Sequence, residues 1–225
     1  MFKLSQKKYI PLSKVEVQSY IDDKFSTRHI HLESESNEKC FVVAFKTLPN
    51  DSSGVAHILE HTVLCGSKKY PVRDPFFMMT RRSLSTFMNA FTASDFTAYP
   101  FSTLNDKDFS NLLSVYLDAT FFPNLNELDF MQEGHRFDFV KNNISKDQIV
   151  LKGIVYNEMK GAMSSISSQA DQGLNENLFP NHTYGYNSGG DPQDIPKLTY
   201  QNLLKFHEKH YHPSNAIFFT YGKID

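Results

Sequence analysis

Short segments of alternating or continuous apolar residues predict β-strands along the chain. Segments 28–34 and 40–48 are of this kind and flank the polar stretch ESNE, so we expect them to form a β-hairpin. The stretches LSTFMNAF and DFTAYPF predict two strands around a tight turn at Ala93–Ser94. Pro100 suits a strand end or an edge strand, where its missing N–H is not needed. Two further strands are expected, near 134–140 and at NAIFFTYG close to the end of the chain.

Apolar residues at helical spacing, together with start and stop signals, predict helices between these strands. Asp74 is a candidate N-cap residue before Pro75, which suits the first helical position. The amphipathic stretch NDKDFSNLLSVYLDATFF predicts a helix that runs to Pro123. The remaining helices are expected at 53–65, about 147–178 and near 199–210. Strands and helices alternate irregularly, so we expect an α+β fold with a mostly antiparallel sheet and flanking helices.

Composition narrows the class of protein. The chain has 225 residues, of which 40% are hydrophobic, enough for one large core. Its net charge of −2 gives no reason to expect nucleic acid or an anionic membrane as a partner. No apolar run is long enough to cross a bilayer, and the first residues lack the features of a signal or transit peptide. We therefore expect a cytoplasmic protein, with a mitochondrial or other organellar matrix as the alternative. Because the chain stops just after its last predicted strand, we also expect a piece of a longer protein cut at a domain edge.

The stretch GVAHILEHTVLCG places three ionisable residues on an apolar helix. His57 and His61 are four residues apart, so they project from the same helical face and can share one zinc ion. Glu60 lies beside this face, within reach of a water bound to the metal. The alternative is a set of polar residues on an exposed face, but two histidines and a glutamate on an apolar helix are costly to leave unpaired.

A catalytic zinc site requires a third protein ligand, and several residues could provide it. Glu158 is favoured, because apolar and small residues surround it on its predicted helical face and Gly161 would allow another helix to approach closely. Its alternative role is that of a peripheral, salt-bridged glutamate. The other candidates are His135, Glu133, Asp171 and Glu176.

Other residues that could suggest chemistry are assigned structural roles. His207 and His210 are neighbours on a predicted helix, but His212 precedes Pro213, where the helix should have ended, so a second metal site is not expected. His182 lies in a turn-rich loop and is expected to be exposed. Cys65 is expected to be a small buried thiol.

The combination of HILEH with the distant GIVYNEMKG resembles the inverzincin zinc peptidases, the pitrilysin and insulysin family. The stretches FMNAFTASDFTAYPFST, YGYNSGGDP and YHPSNA are similar to its presequence protease and falcilysin branch. The resemblance extends over nearly the whole chain. It implies that His57, His61 and Glu158 bind zinc and that Glu60 is the catalytic base.

The resemblance also implies a fold, a substrate and partners. In the family, the stretch TFMNAFTAS is an edge strand to which a peptide adds, which makes Asn89, Ala90 and Phe91 candidate substrate-binding residues. Family members of this branch have four related α+β domains in two halves, so residues 1–225 would be the N-terminal catalytic domain and the remaining domains its partners. The implied function is a zinc metalloendopeptidase acting on unstructured oligopeptides through a zinc-activated water. The alternatives are a non-catalytic peptide-binding or scaffold domain, or a fragment that binds zinc but is inactive without the other half.

Overall fold

The computed structural model describes residues 1–142 and 145–224. Helices and strands are mixed along the chain, and the larger sheet is mostly antiparallel, which confirms the α+β prediction. The strands are β1 (Phe2–Ile10), β2 (Val15–Asp22), β3 (Arg28–Glu33), β4 (Lys39–Lys46), β5 (Ser85–Met88), β6 (Phe91–Thr92), β7 (Phe96–Thr103), β8 (Arg136–Asn142), β9 (Ser145–Lys152) and β10 (Ala216–Tyr221). The helices are α1 (Val55–Val63), α2 (Pro75–Arg82), α3 (Asp106–Phe121), α4 (Glu127–Glu133), α5 (Ile154–Ala162), α6 (Ile166–Leu178) and α7 (Tyr200–His210).

The main sheet has the strand order β1-β2-β3-β10-β4-β7-β5, and the two-residue strand β6 also pairs with β7. Strand β10 pairs in parallel with β3 and antiparallel with β4. The predicted hairpin of segments 28–34 and 40–48 is therefore wrong, although both strands exist. The last strand of the chain lies between them, a long-range pairing that local patterns do not reveal.

The core lies between the centre of this sheet and the helices α1 and α3. On β4, Phe41, Val43 and Phe45 alternate with half-buried residues and are at most 4% exposed. Tyr99 and Phe101 of β7 continue this buried face. Burying such side chains stabilises a fold by about 1.5–3 kcal/mol each relative to leaving them exposed. Helix α1, which contains His57 and His61, packs against this buried face of the sheet.

Two expectations about proline and its neighbours need correction. Pro100 is not in an edge strand, because β7 lies between β4 on one side and β5 with β6 on the other. The carbonyl of Pro100 accepts a hydrogen bond from the amide of Asn89, at the break between β5 and β6, so the missing N–H faces a gap in the pairing. Helix α2 begins at Pro75 as predicted, but Asp74 has a left-handed backbone (φ 54°) and its side chain caps nothing.

The long helix expected over 147–178 is wrong at its start and is interrupted. Residues up to Lys152 belong to β9, which pairs with β8 in a separate two-stranded sheet. The apolar residues at the end of β9 and the start of α5 form a nearly continuous run, which fits a buried strand as well as a buried helix. The spacing of apolar residues alone therefore does not distinguish the two. The helical part is then divided into α5 and α6. The amphipathic helix ending before Pro123 and the helix near 199–210 are confirmed as α3 and α7.

Candidate metal centre

Helix α1 holds His57, Glu60 and His61 at the base of a cavity of about 500 Å³. Most residues of the helix are buried, among them the apolar Ile58 and Leu59. The residue before the helix, at the N-cap position, is Gly54, whose backbone is left-handed (φ 70°). A left-handed residue at this point is readily provided by glycine, which has no Cβ to clash.

The third residue of the group, Glu158, comes from α5, about a hundred positions along the chain. Glu158 Oε2 lies 3.7 Å from His57 Nε2 and 3.9 Å from His61 Nε2. Zinc bonds of about 2.0–2.2 Å in a tetrahedral site place two ligand atoms roughly 3.3–3.6 Å apart. These two distances are close to the spacing that one zinc ion requires, and the three donor atoms all lie within 4.8 Å of one another. Two imidazoles with a carboxylate are a donor set that zinc accepts.

The entry of α5 into this region depends on a close backbone contact. At Gly153, just before α5, a Cβ would collide with the carbonyl of Gly134, which follows α4. The amide of Tyr156 also donates to the Gly134 carbonyl, at 3.4 Å. By contrast, apart from its chain neighbours and the backbone of α5 itself, no atom of the described residues lies within 4 Å of a Cβ built on Gly161, so the predicted close approach of another helix there is wrong. The side chain of Glu158 is 53% exposed, and its position follows from α5 meeting α1 across the cavity.

In both histidines, Nε2 faces Glu158 and the second ring nitrogen, Nδ1, forms a hydrogen bond that orients the ring. His57 Nδ1 donates to the carbonyl oxygen of Gly189 at 2.9 Å, because a carbonyl can only accept. His61 Nδ1 lies 3.1 Å from Glu133 Oε2 and donates to it when the carboxylate is ionised. In the neutral imidazoles this leaves Nε2 unprotonated in each ring, on the side that faces Glu158. Each ring therefore presents a lone pair to the site.

Burial and neighbouring charges act together on the ionisable residues of α1. Burial raises the pKa of the Glu60 carboxyl, and the hydrogen bond from Thr92 and the nearby imidazoles only partly oppose this. For His61, burial lowers the pKa, but the hydrogen bond to Glu133 and the charges of Glu60, Glu133 and Glu158 outweigh it and raise the pKa. Glu60 is 6% exposed and its Oε2 accepts from Thr92 Oγ1 at 2.6 Å.

The edge formed by β5 and β6 borders the same cavity. Asn89, Ala90 and Phe91 line it together with the residues of α1. From Phe87 to Thr92 exposed residues alternate with half-buried ones, as predicted for an edge strand. The predicted turn is also present, since the amide of Ala93 donates to the carbonyl of Phe96 at 2.8 Å.

The other candidate residues lie outside this group. Within residues 1–142 and 145–224, His57, His61 and Glu158 are the only cluster with metal-ligand spacing. His135 Nε2 donates to the carbonyl oxygen of Leu198 at 2.9 Å, and Asp171 and Glu176 are exposed on α6. Within the described residues, the six remaining histidines form no second cluster of this kind. His29 and His31 contact the hydroxyl of Thr220, and the exposed His182 accepts from the amide of Tyr184. His207 contacts the carbonyl of Thr120, His210 the carbonyl of Lys46, and His212 the hydroxyl of Ser214.

Three residues with a place at the site were missed or left undecided by sequence reasoning. Glu133 could not be assigned from sequence, and the structure pairs it with His61. The hydrogen bonds from His57 to the Gly189 carbonyl and from Thr92 to Glu60 were not predicted, because no sequence motif marks a main-chain carbonyl or a single threonine as a partner. The GG pair of YGYNSGGDP was the available signal, since paired glycines often mark a close backbone approach.

Comparison with known proteins identifies the family of the chain. Residues 48–165 match the family described as insulinase (peptidase family M16), and residues 197–225 match the peptidase M16 inactive domain. The second match covers α7 and β10, which contribute none of the three clustered residues. Within the described part of the chain, no helix has both the length and the apolar character needed to span a membrane.

Several relatives and solved structures are similar to the chain. The mitochondrial presequence protease of Mus musculus is 58% identical over 202 residues, which are 90% of this chain and 20% of that protein. The mitochondrial presequence protease of Schizosaccharomyces pombe is 50% identical over 223 residues, covering 99% of this chain and 22% of the relative. The chain thus spans about a fifth of the length of these curated relatives.

The fold is similar to two peptidase structures at low sequence identity. The crystal structure of pitrilysin matches with a TM-score of 0.76 at 20% identity, over 100% of this chain and 23% of that chain. A protease from Helicobacter pylori matches with a TM-score of 0.73 at 20% identity, over 93% of this chain and 46% of that one. The family match over residues 48–165, which is more than half of the chain, shows that the chain belongs to the insulinase family, peptidase family M16.

Proposed function

We propose that residues 1–225 are the N-terminal, zinc-binding domain of a longer metalloendopeptidase that hydrolyses unstructured oligopeptides. The observation that carries this proposal is the convergence of His57 Nε2, His61 Nε2 and a Glu158 oxygen, with both Nδ1 atoms already bonded elsewhere. Membership of a peptidase family and the similarity to presequence proteases support it.

His57, His61 and Glu158 would hold the zinc ion. Zinc in such a site acts as a Lewis acid that polarises a carbonyl and lowers the pKa of water. The donor set fits this role, because a catalytic zinc ion is typically held by three protein ligands of these kinds, imidazole nitrogens and a carboxylate oxygen. Glu133 and the carbonyl of Gly189 keep the two imidazole rings in the orientation and tautomer that the ligands require.

Glu60 is the proposed general base. Its carboxylate takes a proton from the water that attacks the carbonyl carbon of the peptide, and the new C–O bond forms. It then returns a proton to the amide nitrogen as the C–N bond breaks, so that the leaving group departs as an amine. The proposal is supported by the position of Glu60, which lines the same cavity as both histidines.

The free edge of β5 and β6 is the proposed binding strand for the peptide. Each of these strands pairs with β7 on one side, and within the described residues neither has a strand partner on the other. An extended peptide can therefore pair with the main chain around Asn89, Ala90 and Phe91. Main-chain pairing holds the peptide across Glu60 and the zinc ligands with little dependence on its side chains.

Two further proposals concern the complete protein. Because the curated relatives are about five times longer than this chain, we expect further domains as partners and little peptidase activity from residues 1–225 alone. The relatives are named as mitochondrial proteins, which supports the organellar alternative and gives no support to a cytoplasmic location. Imaging of the full-length protein fused to a fluorescent tag would test the location.

Replacement of the proposed base in the full-length protein tests the function. We expect Glu60→Gln to abolish cleavage of an unstructured, internally quenched fluorogenic peptide while zinc stays near one ion per chain. Glu127→Gln is the matched control, because Glu127 is an exposed residue of α4. A wild-type protein without zinc-dependent cleavage, or an active Glu60→Gln variant, would refute the proposed function.

A further inference from the structure

Thr92 gives the carboxylate of Glu60 its side-chain hydrogen bond. Thr92 Oγ1 donates to Glu60 Oε2 over 2.6 Å, and within the described residues no other side chain donates to Glu60. Both residues line the cavity that contains the histidines. A short hydrogen bond to Oε2 restricts the orientation of the carboxylate and leaves Oε1 for other partners.

Thr92 is itself held by two buried threonines. Its direct partner across the β6–β7 pair is Thr97, and the two hydroxyl oxygens are 3.3 Å apart. Thr97 Oγ1 is in turn 2.8 Å from Thr47 Oγ1, and both residues are fully buried. An ionised Glu60 can only accept, so the hydroxyl hydrogens point along the series from Thr47 through Thr97 and Thr92 to Glu60. Hydrogen bonds in such a series polarise and strengthen one another.

The strand that carries Thr92 also carries the proposed peptide-binding residues. Strand β6 contains only Phe91 and Thr92 and is followed by the turn that ends at Phe96. A peptide that pairs along Asn89–Phe91 therefore pairs with the residue next to the one that holds Glu60. The position of Thr92 relative to α1 depends on the same short stretch of backbone.

We propose that Thr92 is a positioning residue, which aligns the Glu60 carboxylate with the reacting peptide. Because Thr92 belongs to the proposed binding strand, the orientation of Glu60 depends on the conformation of that strand. The proposal rests on the proposed function of Glu60. Thr92 acts through Glu60 and does not itself touch the reacting atoms. Loss of its hydroxyl should therefore slow the hydrolytic step without weakening peptide binding, which depends on main-chain pairing.

Substitutions that remove only the hydroxyl or only the methyl group of Thr92 test this in the full-length protein. Thr92→Val has nearly the shape of threonine but cannot donate, and Thr92→Ser keeps the donor. We expect Thr92→Val to lower kcat and the single-turnover rate by about 10- to 100-fold, the range found when the partners that orient active-site groups are lost. KM and zinc content should stay unchanged, and Thr92→Ser should recover most of the rate.

Thr120→Val is the matched control for the loss of a buried threonine hydroxyl. Thr120 is fully buried on α3, and its hydroxyl donates to the carbonyl of Tyr116, away from the cavity. We expect this variant to keep the wild-type rate. If Thr92→Val fails to fold, the pair Thr92→Ser and Thr92→Ala decides, because both lack the methyl group and only serine has the hydroxyl.

Failure of this proposal is distinct from failure of the proposed function. Equal single-turnover rates in the wild type and Thr92→Val, or in the serine and alanine variants, would overturn the role of Thr92 while an inactive Glu60→Gln upheld the base. A rise in KM with unchanged kcat would also overturn it, because it would assign Thr92 to peptide binding. If the wild-type protein did not cleave the peptide at all, the proposed function itself would be refuted.

Discussion

His57 and His61 act as ligands only if each ring has a fixed tautomer, and two distant groups provide this. Gly189 lies 132 positions from His57, and Glu133 lies 72 positions from His61. The spacing of the two histidines and Glu60 in HILEH was enough to predict a zinc site. It could not reveal the groups behind the rings, since these come together only when the chain folds. Glu158 was likewise one of several candidates until the family resemblance selected it.

The first prediction concerns Glu133, which is 6% exposed and bonds His61. Glu133→Gln keeps the shape but removes the negative charge, so His61 becomes a weaker ligand. We expect zinc affinity to fall about 10- to 100-fold, as for other residues that support metal-binding histidines. Competition with a chromogenic zinc chelator measures the affinity. Glu127→Gln, in the same helix but exposed, should bind zinc like the wild type; an unchanged affinity in Glu133→Gln would contradict the assigned role.

At the level of elements, the segment just before α1 is hydrogen-bonded to the loop that contains Gly189. The carbonyl of Ser52 accepts from the amide of Asp191 at 2.7 Å, and the hydroxyl of Ser52 accepts from the amide of Asn187 at 3.1 Å. A Cβ on Gly54 would lie 2.8 Å from both Gly189 O and Gly190 Cα. The start of the helix and the partner of His57 therefore fit together only with glycine at position 54.

This contact leads to a prediction for Gly54→Ala. The left-handed backbone alone costs an alanine about 1–2 kcal/mol, and the clash with Gly189 adds to this. We expect lower stability in urea unfolding and weaker zinc binding, because the loop that holds His57 must move. Gly173→Ala is the control, since that glycine is within α6 with nothing within 4 Å of its Cβ. Equal stability of Gly54→Ala and the wild type would show that the close contact is not required.

The elements that sequence predicted well are those with local signals. Helix α3 has an apolar face, and Asn105 caps it by accepting from the amide of Asp108. The errors arose where distant parts of the chain meet. Strand β10 lies between β3 and β4, and β9 has an apolar run that also fits a helix. Pro100 is tolerated inside the sheet because its missing donor faces the break between β5 and β6.

For the whole molecule, the cavity brings together elements from most of the chain. Helix α1, the edge of β5 and β6, α4, α5 and the loop at Gly189 each contribute a residue to its wall. The chain spans about a fifth of the length of its curated relatives. The proposed zinc site uses only residues that this chain contains.

Zinc content per chain tests the central claim most directly. Elemental analysis would be made on tag-free protein of residues 1–225, prepared without chelator, beside Glu158→Gln and the exposed control Glu176→Gln. We predict near one zinc per chain in the wild type and in Glu176→Gln, and clearly less in Glu158→Gln. A wild-type chain that binds no zinc even after zinc is resupplied, or a Glu158→Gln variant with full zinc content, would contradict the account.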